Sequence, residues 1–508
     1  MRFIATPLAP SVETPGPRPG GLASPALRGA LLAVPGTEAA LARLESPDAL
    51  AVTSGQQPAL FGGPLYPVYK ALAAAALADQ LEQQWGRPVV PVFWLANDDH
   101  DFAEAREASW LDAAGTLVRR GLAERPADAP LTPMSGLIMG PELEEILTHF
   151  ESGVRDFPHG HAAVAWLGRH FVPGRTLGAA FGGALAELLA PFGIVCFDSS
   201  HPAAKAAMAT LLLGALRRAE DLDRRLEARA RALAAAGTPS PVSVGEGAAV
   251  VFLEGEAGRD RLIIAPGGFT TRRSGSFHTL AELSAIATHE PSRLSPNVLL
   301  RPVVESALLP TVAYVAGPGE LAYLPAAQPL YDALEVTRQP PVPRWSGVLV
   351  EPRVDRVLRK FDASLEELLR DDEAVERRHI QGALPAELVD AAEHLRRAIE
   401  TEYDRIRQGA TDIDPTLERP IGRLRHEAIA GVDRAVGKIE RHLRRRVLTE
   451  LEQIARARTS VRPGGRPQER VLGVPGFLAR YGPGFLEEAS AVIREWYSRT
   501  LVATPARP

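Results

Sequence analysis

Four times along the chain a run of apolar residues of strand length ends in a polar or glycine-rich loop and gives way to helical spacing. The first run, residues 49–53, leads into a glycine-rich turn and then a long alanine and leucine helix beginning near Pro64. Prolines 64 and 67 suit a first helical turn, whose N–H groups lack partners anyway. The second, residues 89–96, ends in Asn97-Asp98-Asp99-His100-Asp101. The third, residues 194–197, ends in Asp198-Ser199-Ser200-His201, and the fourth, residues 311–316, ends in Gly317-Pro318-Gly319-Glu320. Strands that are continuously apolar rather than alternating, each followed by a helix, predict an α/β fold with a parallel sheet covered on both faces. Ligands of such sheets bind beyond the carboxyl ends of the strands, so all four loops are expected on one edge, around one site.

Two stretches interrupt the pattern. Residues 117–143 are rich in proline and glycine, and residues 248–271 read as a β-hairpin. From residue 351 the composition turns to arginine, glutamate, leucine and alanine. Leu388, Ala392, Leu395, Ile399 and Ile406 fall near heptad core positions, as do Ile421, Leu424, Ala428, Val432, Ala435, Ile439 and Leu451. Asp412-Ile413-Asp414-Pro415 is the expected turn between two long antiparallel helices. The expected organisation is therefore a core over 1–350 with insertions near 117–143 and 237–290, a helical coiled-coil domain over 351–462, and a tail over 463–508 returning to the core. A hairpin with an apolar seam also suits burial against a second copy, so a homodimer through the coiled coil is expected.

Composition narrows the classes. The chain has 508 residues, 45% of them hydrophobic and 23% charged, which is a folded globular balance. Its formal charge of −5 provides no global positive field for a nucleic acid backbone, and no apolar run is long enough to span a bilayer. One cysteine, Cys196, makes neither an internal disulfide nor a multi-thiolate zinc site and fits a reducing cytoplasm. It sits in an apolar strand, where a buried inert thiol is the expected state. The basic run 438–446 reads as a solvated helix face.

The densest chemical signal is the first loop, from Ser54 to Tyr66. Gly55, Gly62 and Gly63 let backbone approach a ligand, Gln56 and Gln57 offer amides, and Tyr66 and Lys70 follow in the helix; the plainer alternative is a turn that only reverses the chain. Asp98, Asp99, His100 and Asp101 can hold an amine, a hydroxyl-rich substrate or a hard cation, or act as general base, some of them capping the next helix instead. Gly317-Pro318-Gly319-Glu320-Leu321-Ala322 fits the G-x-G-x-x-G/A phosphate fingerprint after a strand, with Glu335 near the spacing of a ribose partner. Asn297, Arg301 and Glu305 lie close upstream, the last two spaced as an ordinary helix ion pair. There is no P-loop, no G-x-S-x-G elbow, and no HExxH or cysteine cluster for zinc.

In order, the chain carries Gly-Gln-Gln-x-x-Leu-Phe-x-Gly-Pro-Leu-Tyr-x-x-x-Lys, Pro-Val-Phe-Trp-Leu-Ala-x-Asp-Asp-His-Asp-Phe, Arg-Pro-x-x-Glu-Ser-x-Leu-Leu-Pro-Thr, Ala-Tyr-Val-Ala-Gly-Pro-Gly-Glu-x-Ala-Tyr and, in the tail, Gln468-Glu469-Arg470. This set closely resembles the cysteine ligase family of bacillithiol biosynthesis, proteins proposed to add cysteine to glucosaminyl malate. The resemblance spans nearly the whole chain. It implies a Rossmann-like core related to class I aminoacyl-tRNA synthetases, connecting-peptide insertions, a C-terminal coiled coil forming a homodimer, and binding of an adenine nucleotide. ATP, with Mg, would then activate the cysteine carboxyl for amide formation with the glucosamine amine. On this reading Gly55, Gln56, Gln57 and Gly63 hold the activated carboxyl or phosphate, Asp99 and His100 bind or deprotonate the amine, and Gly317, Gly319 and Glu320 complete the pocket. The chain lacks the HIGH and KMSKS signatures of the synthetases and the cysteine-rich zinc site of cysteinyl-tRNA synthetase. A sugar-nucleotide or dinucleotide enzyme on the same sheet, and a dimeric nucleotide-binding assembly protein without catalysis, are the other readings.

Overall fold

Five segments, β1 (Leu50–Gln56), β2 (Val89–Leu95), β3 (Val195–Asp198), β4 (Thr311–Ala316) and β5 (Pro341–Pro343), form one parallel sheet in the order β5-β4-β1-β2-β3. This is a computed structural model, and it describes residues 1–6, 8, 12–13, 15–370 and 372–502. Residues 503–508 of the expected tail lie outside the described residues. All seven residues of β2 are buried, as are the first six of β1, which is why these strands read as unbroken apolar runs. Register sets Gln56 beside Leu95 and Leu95 beside Asp198, so the strand ends are level and the loops after them share one edge.

Helix α1 (Tyr66–Trp85) is buried all round from Pro67 to Ala78. Small alanines let it lie close to β1 and β2 while the helix Gly484–Thr500 covers it from outside. Its first turn begins at Tyr66, two residues later than the prolines suggest, because Phe61, Gly62 and Gly63 all take positive φ (56°, 84° and 71°) to turn the chain first. Trp94 stacks on Phe197 at 4.8 Å across β2 and β3, and each such buried aromatic contributes roughly 1.5–3 kcal/mol. Cys196 is fully buried in β3, and burial pushes its thiol up to about 12. A thiol reagent such as DTNB is therefore expected to leave the native protein unmodified and to titrate one thiol after denaturation; rapid native labelling would show that β3 opens.

The predicted hairpin is present as Ala248–Gly255 paired antiparallel with Gly258–Ala265, within a five-stranded antiparallel sheet that includes Leu294–Pro296. Residues 117–143 hold a strand, Leu117–Gly121, paired with Glu107–Leu111, and the start of the helix Glu142–Val154. The helix after the Asp98–Asp101 loop lasts only from Phe102 to Ala105.

By internal packing the chain divides into Phe3–Val348 with Gln468–Pro508, and Met1–Arg2 with Leu349–Pro467. The second unit carries the coiled-coil hairpin, α2 (Ala386–Ile413) and α3 (Glu418–Arg446). Asp414 ends α2 and its side chain accepts from the Thr416 N–H at 2.8 Å, and Arg396–Asp433 (2.6 Å) and Arg425–Asp404 (3.0 Å) tie the helices together. Two helices bury only one seam, so Leu395 (51%), Ile406 (52%) and Leu424 (46%) remain half exposed. Leu451 does not continue α3: the helix breaks at Val447, and Leu451 is buried in a separate helix, Leu448–Val461. Among the described residues no helix is long and apolar enough to cross a membrane.

Candidate functional site

The loops after β1, β2, β3 and β4 enclose one cavity of about 510 Å³. Gly55, Gln56, Gln57, Tyr66, Lys70, Asp98, Asp99, His100, Asp101, Arg301, Gly317, Gly319 and Glu320 line it, together with Asn297 and Ser199. Gly63, Glu305 and Glu335 do not. Gly63 belongs to the turn into α1, where the neighbouring Pro64 bridges to Gly473 of the tail. Glu305 is fully buried beneath the cavity, accepting from the Thr53 hydroxyl and pairing with Arg301 at 2.6 Å; it is the helix ion pair expected from its spacing, and burial raises its carboxyl above the ordinary value.

At the end of β1 the glycine serves packing. A Cβ on Gly55 would lie 2.7 Å from the Trp94 carbonyl oxygen and 2.9 Å from Trp94 Cβ, both on the neighbouring strand β2. Gly55→Ala must push the two central strands apart, and a loss of about 1–3 kcal/mol in urea unfolding is expected; an unchanged midpoint would mean that the strands yield freely. Gln57 donates to Glu104 at 2.9 Å, which orients its amide at the rim.

The phosphate-fingerprint reading of Gly317–Ala322 meets an obstacle. The Gly317 N–H donates to the Glu320 carboxylate at 2.7 Å, and Pro318 has no N–H to offer. A carboxylate thus takes the Gly317 N–H and places negative charge at the helix start, which disfavours a phosphate there. The same carboxylate accepts from the Tyr314 hydroxyl at 2.5 Å and pairs with Lys70 at 2.8 Å. Lys70 is 1% exposed, and burial pulls its ammonium below the ordinary value although Glu320 opposes this. Burial acts to raise Glu320, but Lys70, Tyr314 and Arg301 outweigh it and hold the carboxylate below its ordinary value.

The acidic loop is less self-repelling than its sequence suggests. Asp98 pairs with buried Lys205 at 2.5 Å, and Lys205 also donates to the Leu294 carbonyl. Asp99 accepts from the Asp101 N–H at 2.9 Å, while Asp101 caps the short helix through the Glu104 N–H at 3.2 Å. His100 receives a hydrogen bond at Nδ1 from Arg259 at 3.1 Å. Burial, and then the Arg259 charge, lower its pKa below the ordinary imidazole value.

Arg259, Arg261 and Phe252 reach the cavity from the inserted hairpin, and Arg344 and Arg470 from beyond β5 and from the tail; sequence reasoning assigned none of them. Arg344 is 1% exposed and clamped by Glu469 through hydrogen bonds of 3.0 and 2.5 Å, while its Nε, buried, has no acceptor. Arg470 makes no ion pair among the described residues, and both guanidiniums lie near the Tyr66 ring, at 5.8 and 6.0 Å. The sequence sign of this corner is the Gln468-Glu469-Arg470 motif, three consecutive polar residues in a tail of mixed composition.

Comparison with known proteins covers both parts of the chain. Residues 29–345 match the family model described as the N-terminal Rossmann-like domain of bacillithiol biosynthesis BshC, and residues 347–495 match its C-terminal coiled-coil domain. Several relatives carry the name "Putative cysteine ligase BshC". That from Solibacter usitatus is 31% identical over 87% of this chain and 82% of its own. The relative from Koribacter versatilis is 32% identical over 85% and 80%, and that from Heliobacterium modesticaldum 30% over 89% and 83%. With a Rossmann-like parallel sheet, a C-terminal coiled coil and matches to both domain models, the chain belongs to the BshC family of bacillithiol biosynthesis.

Proposed function

We propose that this protein is a carbon–nitrogen ligase that joins the carboxyl group of L-cysteine to the amine of glucosaminyl malate, with ATP and Mg activating the carboxyl. The observation that carries this reading is the composition of the cavity at the strand ends: carboxylates of Asp99 and Asp101 able to hold an ammonium stand in the same volume as Lys70, Arg301, Arg344 and Arg470. Such a site suits one cationic and one or more anionic reactants. The names of the relatives point the same way.

A carboxylate does not acylate an amine unaided, and ATP supplies the leaving group. The donor set fits phosphate: among the described residues the buried Arg344 Nε has no acceptor and Arg470 no carboxylate partner. Arg344 and Arg470 are therefore the residues that would hold the nucleotide's phosphates. Asp99 holds the amine and takes its proton, while the Gln56 and Gln57 amides orient the carboxyl. The Glu320 carboxylate at the helix start counts against the dinucleotide alternative.

The test is to incubate purified protein with cysteine, glucosaminyl malate and Mg-ATP and to follow product and nucleotide by mass spectrometry. Amide product with AMP or ADP, lost in Asp99→Asn, supports the ligase; the nucleotide product tells which phosphorus is attacked. Tight nucleotide binding with no product from any cysteine and amine pair would favour a non-catalytic assembly role instead. We further propose a cytoplasmic homodimer that covers Leu395, Ile406 and Leu424. Sedimentation should give a dimer for the native chain and a monomer for Leu395→Glu/Ile406→Glu, and a native monomer would refute this.

A further inference from the structure

We propose that Arg259 is a positioning residue that occupies His100 Nδ1, so that the imidazole meets the substrate as an Nε2–H hydrogen-bond donor and not as a base. The inference begins with donor chemistry. A guanidinium has N–H groups and no acceptor, so the 3.1 Å contact from Arg259 Nη1 requires a lone pair on His100 Nδ1. An imidazole that accepts at Nδ1 and is neutral carries its hydrogen on Nε2. Protonating it at Nδ1 would set two donors against each other.

Arg259 is held too firmly to move aside. It is 8% exposed, its Nε donates to Ser295 Oγ at 2.8 Å, its Nη2 donates to the Pro296 carbonyl at 2.5 Å, and its charge lies 4.1 Å from the centre of the Phe252 ring. These anchors come from the inserted sheet. The charges acting on His100 are Arg259 and Arg273 from that sheet, which oppose its protonation, and Asp99 and Asp101 from its own loop, which favour it. His100 Nε2 makes no hydrogen bond within the described residues and is absent from the buried unpaired atoms, so in a ring that lines the cavity it is the nitrogen open to ligand. A neutral Nε2–H in that place can stabilise negative charge building on an attacked carboxyl, and the amine's proton goes to a neighbouring carboxylate.

Two measurements test this, and only the second rests on the ligase reading. In ¹⁵N-labelled protein, two-bond proton–nitrogen correlation spectra with His100→Gln used for assignment should show the neutral Nε2–H tautomer persisting below the ordinary imidazole value of about 6.5. In Arg259→Met the His100 pKa should rise and the tautomers should mix, with Arg259→Lys restoring the native pattern. A native Nδ1–H tautomer, or titration at or above about 6.5, overturns the proposal. In the ligase assay, His100→Ala should lower kcat on the order of 10²-fold, as loss of one charge-stabilising donor does. His100→Gln, whose amide keeps a donor near Nε2 but has no basic nitrogen, should lose much less. If Gln loses as much as Ala, the imidazole is a base. If the native protein makes no amide at all, the ligase reading fails while the spectra still decide the tautomer.

Discussion

Replacing Glu469 with alanine is expected to destabilise the protein by about 3–5 kcal/mol, because it strips the counter-charge from a guanidinium that has almost no contact with water. Arg344 and Glu469 have side-chain exposures of 1% and 5%. The carboxylate also accepts from Ser346 Oγ at 2.8 Å and from the Gly347 N–H at 3.3 Å, so alanine leaves two further donors without this acceptor. Urea unfolding should show a lower midpoint at an unchanged slope. The double replacement Arg344→Met/Glu469→Leu should recover most of the loss, since removing both charges removes the unpaired one. A single-mutant loss below about 1 kcal/mol would mean that water reaches the pair and that it is worth no more than a surface bridge. Arg470 follows Glu469 directly, so the same replacement should also loosen the cavity's cationic corner.

Lys70→Met is the second large effect, again about 3–5 kcal/mol at neutral pH, with a pH dependence that identifies its cause. In the native protein Glu320 has its pKa held below the ordinary 4.5, so it adds stability above that value and loses it as pH falls through the lower folded value. Lys70 is the largest influence lowering it. Without the ammonium, burial governs, the folded pKa rises above 4.5, and the carboxylate now costs stability as pH rises through that window. The deficit of Lys70→Met relative to native should therefore shrink as unfolding is measured at successively lower pH toward about 5. A deficit that is constant with pH would assign the effect to packing of the lysine stem, and Lys70→Met/Glu320→Gln should then give no recovery.

Much of the molecule was legible without coordinates. Apolar runs over 49–53, 89–96, 194–197 and 311–316, each followed by a polar or glycine-rich loop and a helical pattern, point to strands covered on both faces, and a sheet of that kind places their loops on one edge. Thirteen of the candidate residues accordingly line one cavity. The hairpin at 248–271 and the antiparallel helices flanking Asp414 followed from local spacing in the same way.

At three positions local geometry supplies a reason for the residue that its motif does not state. Gly55 is a glycine because Trp94 presses on it, Gly63 because the chain must turn, and Glu320 caps the helix start within the glycine fingerprint.

Periodicity records what each residue requires of its near neighbours, chiefly burial and backbone conformation, and so the sequence alone determined the class of fold, the edge that carries the site and its acidic loop. Pairing across the fold depends on the path of the chain. Glu469 meets Arg344 across 125 positions and Arg259 meets His100 across 159, and no local pattern distinguishes such an arginine from a solvated one. Which nitrogen of His100 Arg259 meets, and which cations face the cavity, were decided only when the tail and the inserted hairpin closed on the sheet, because a hydrogen bond is set by the approach of two groups and not by the segment that either belongs to.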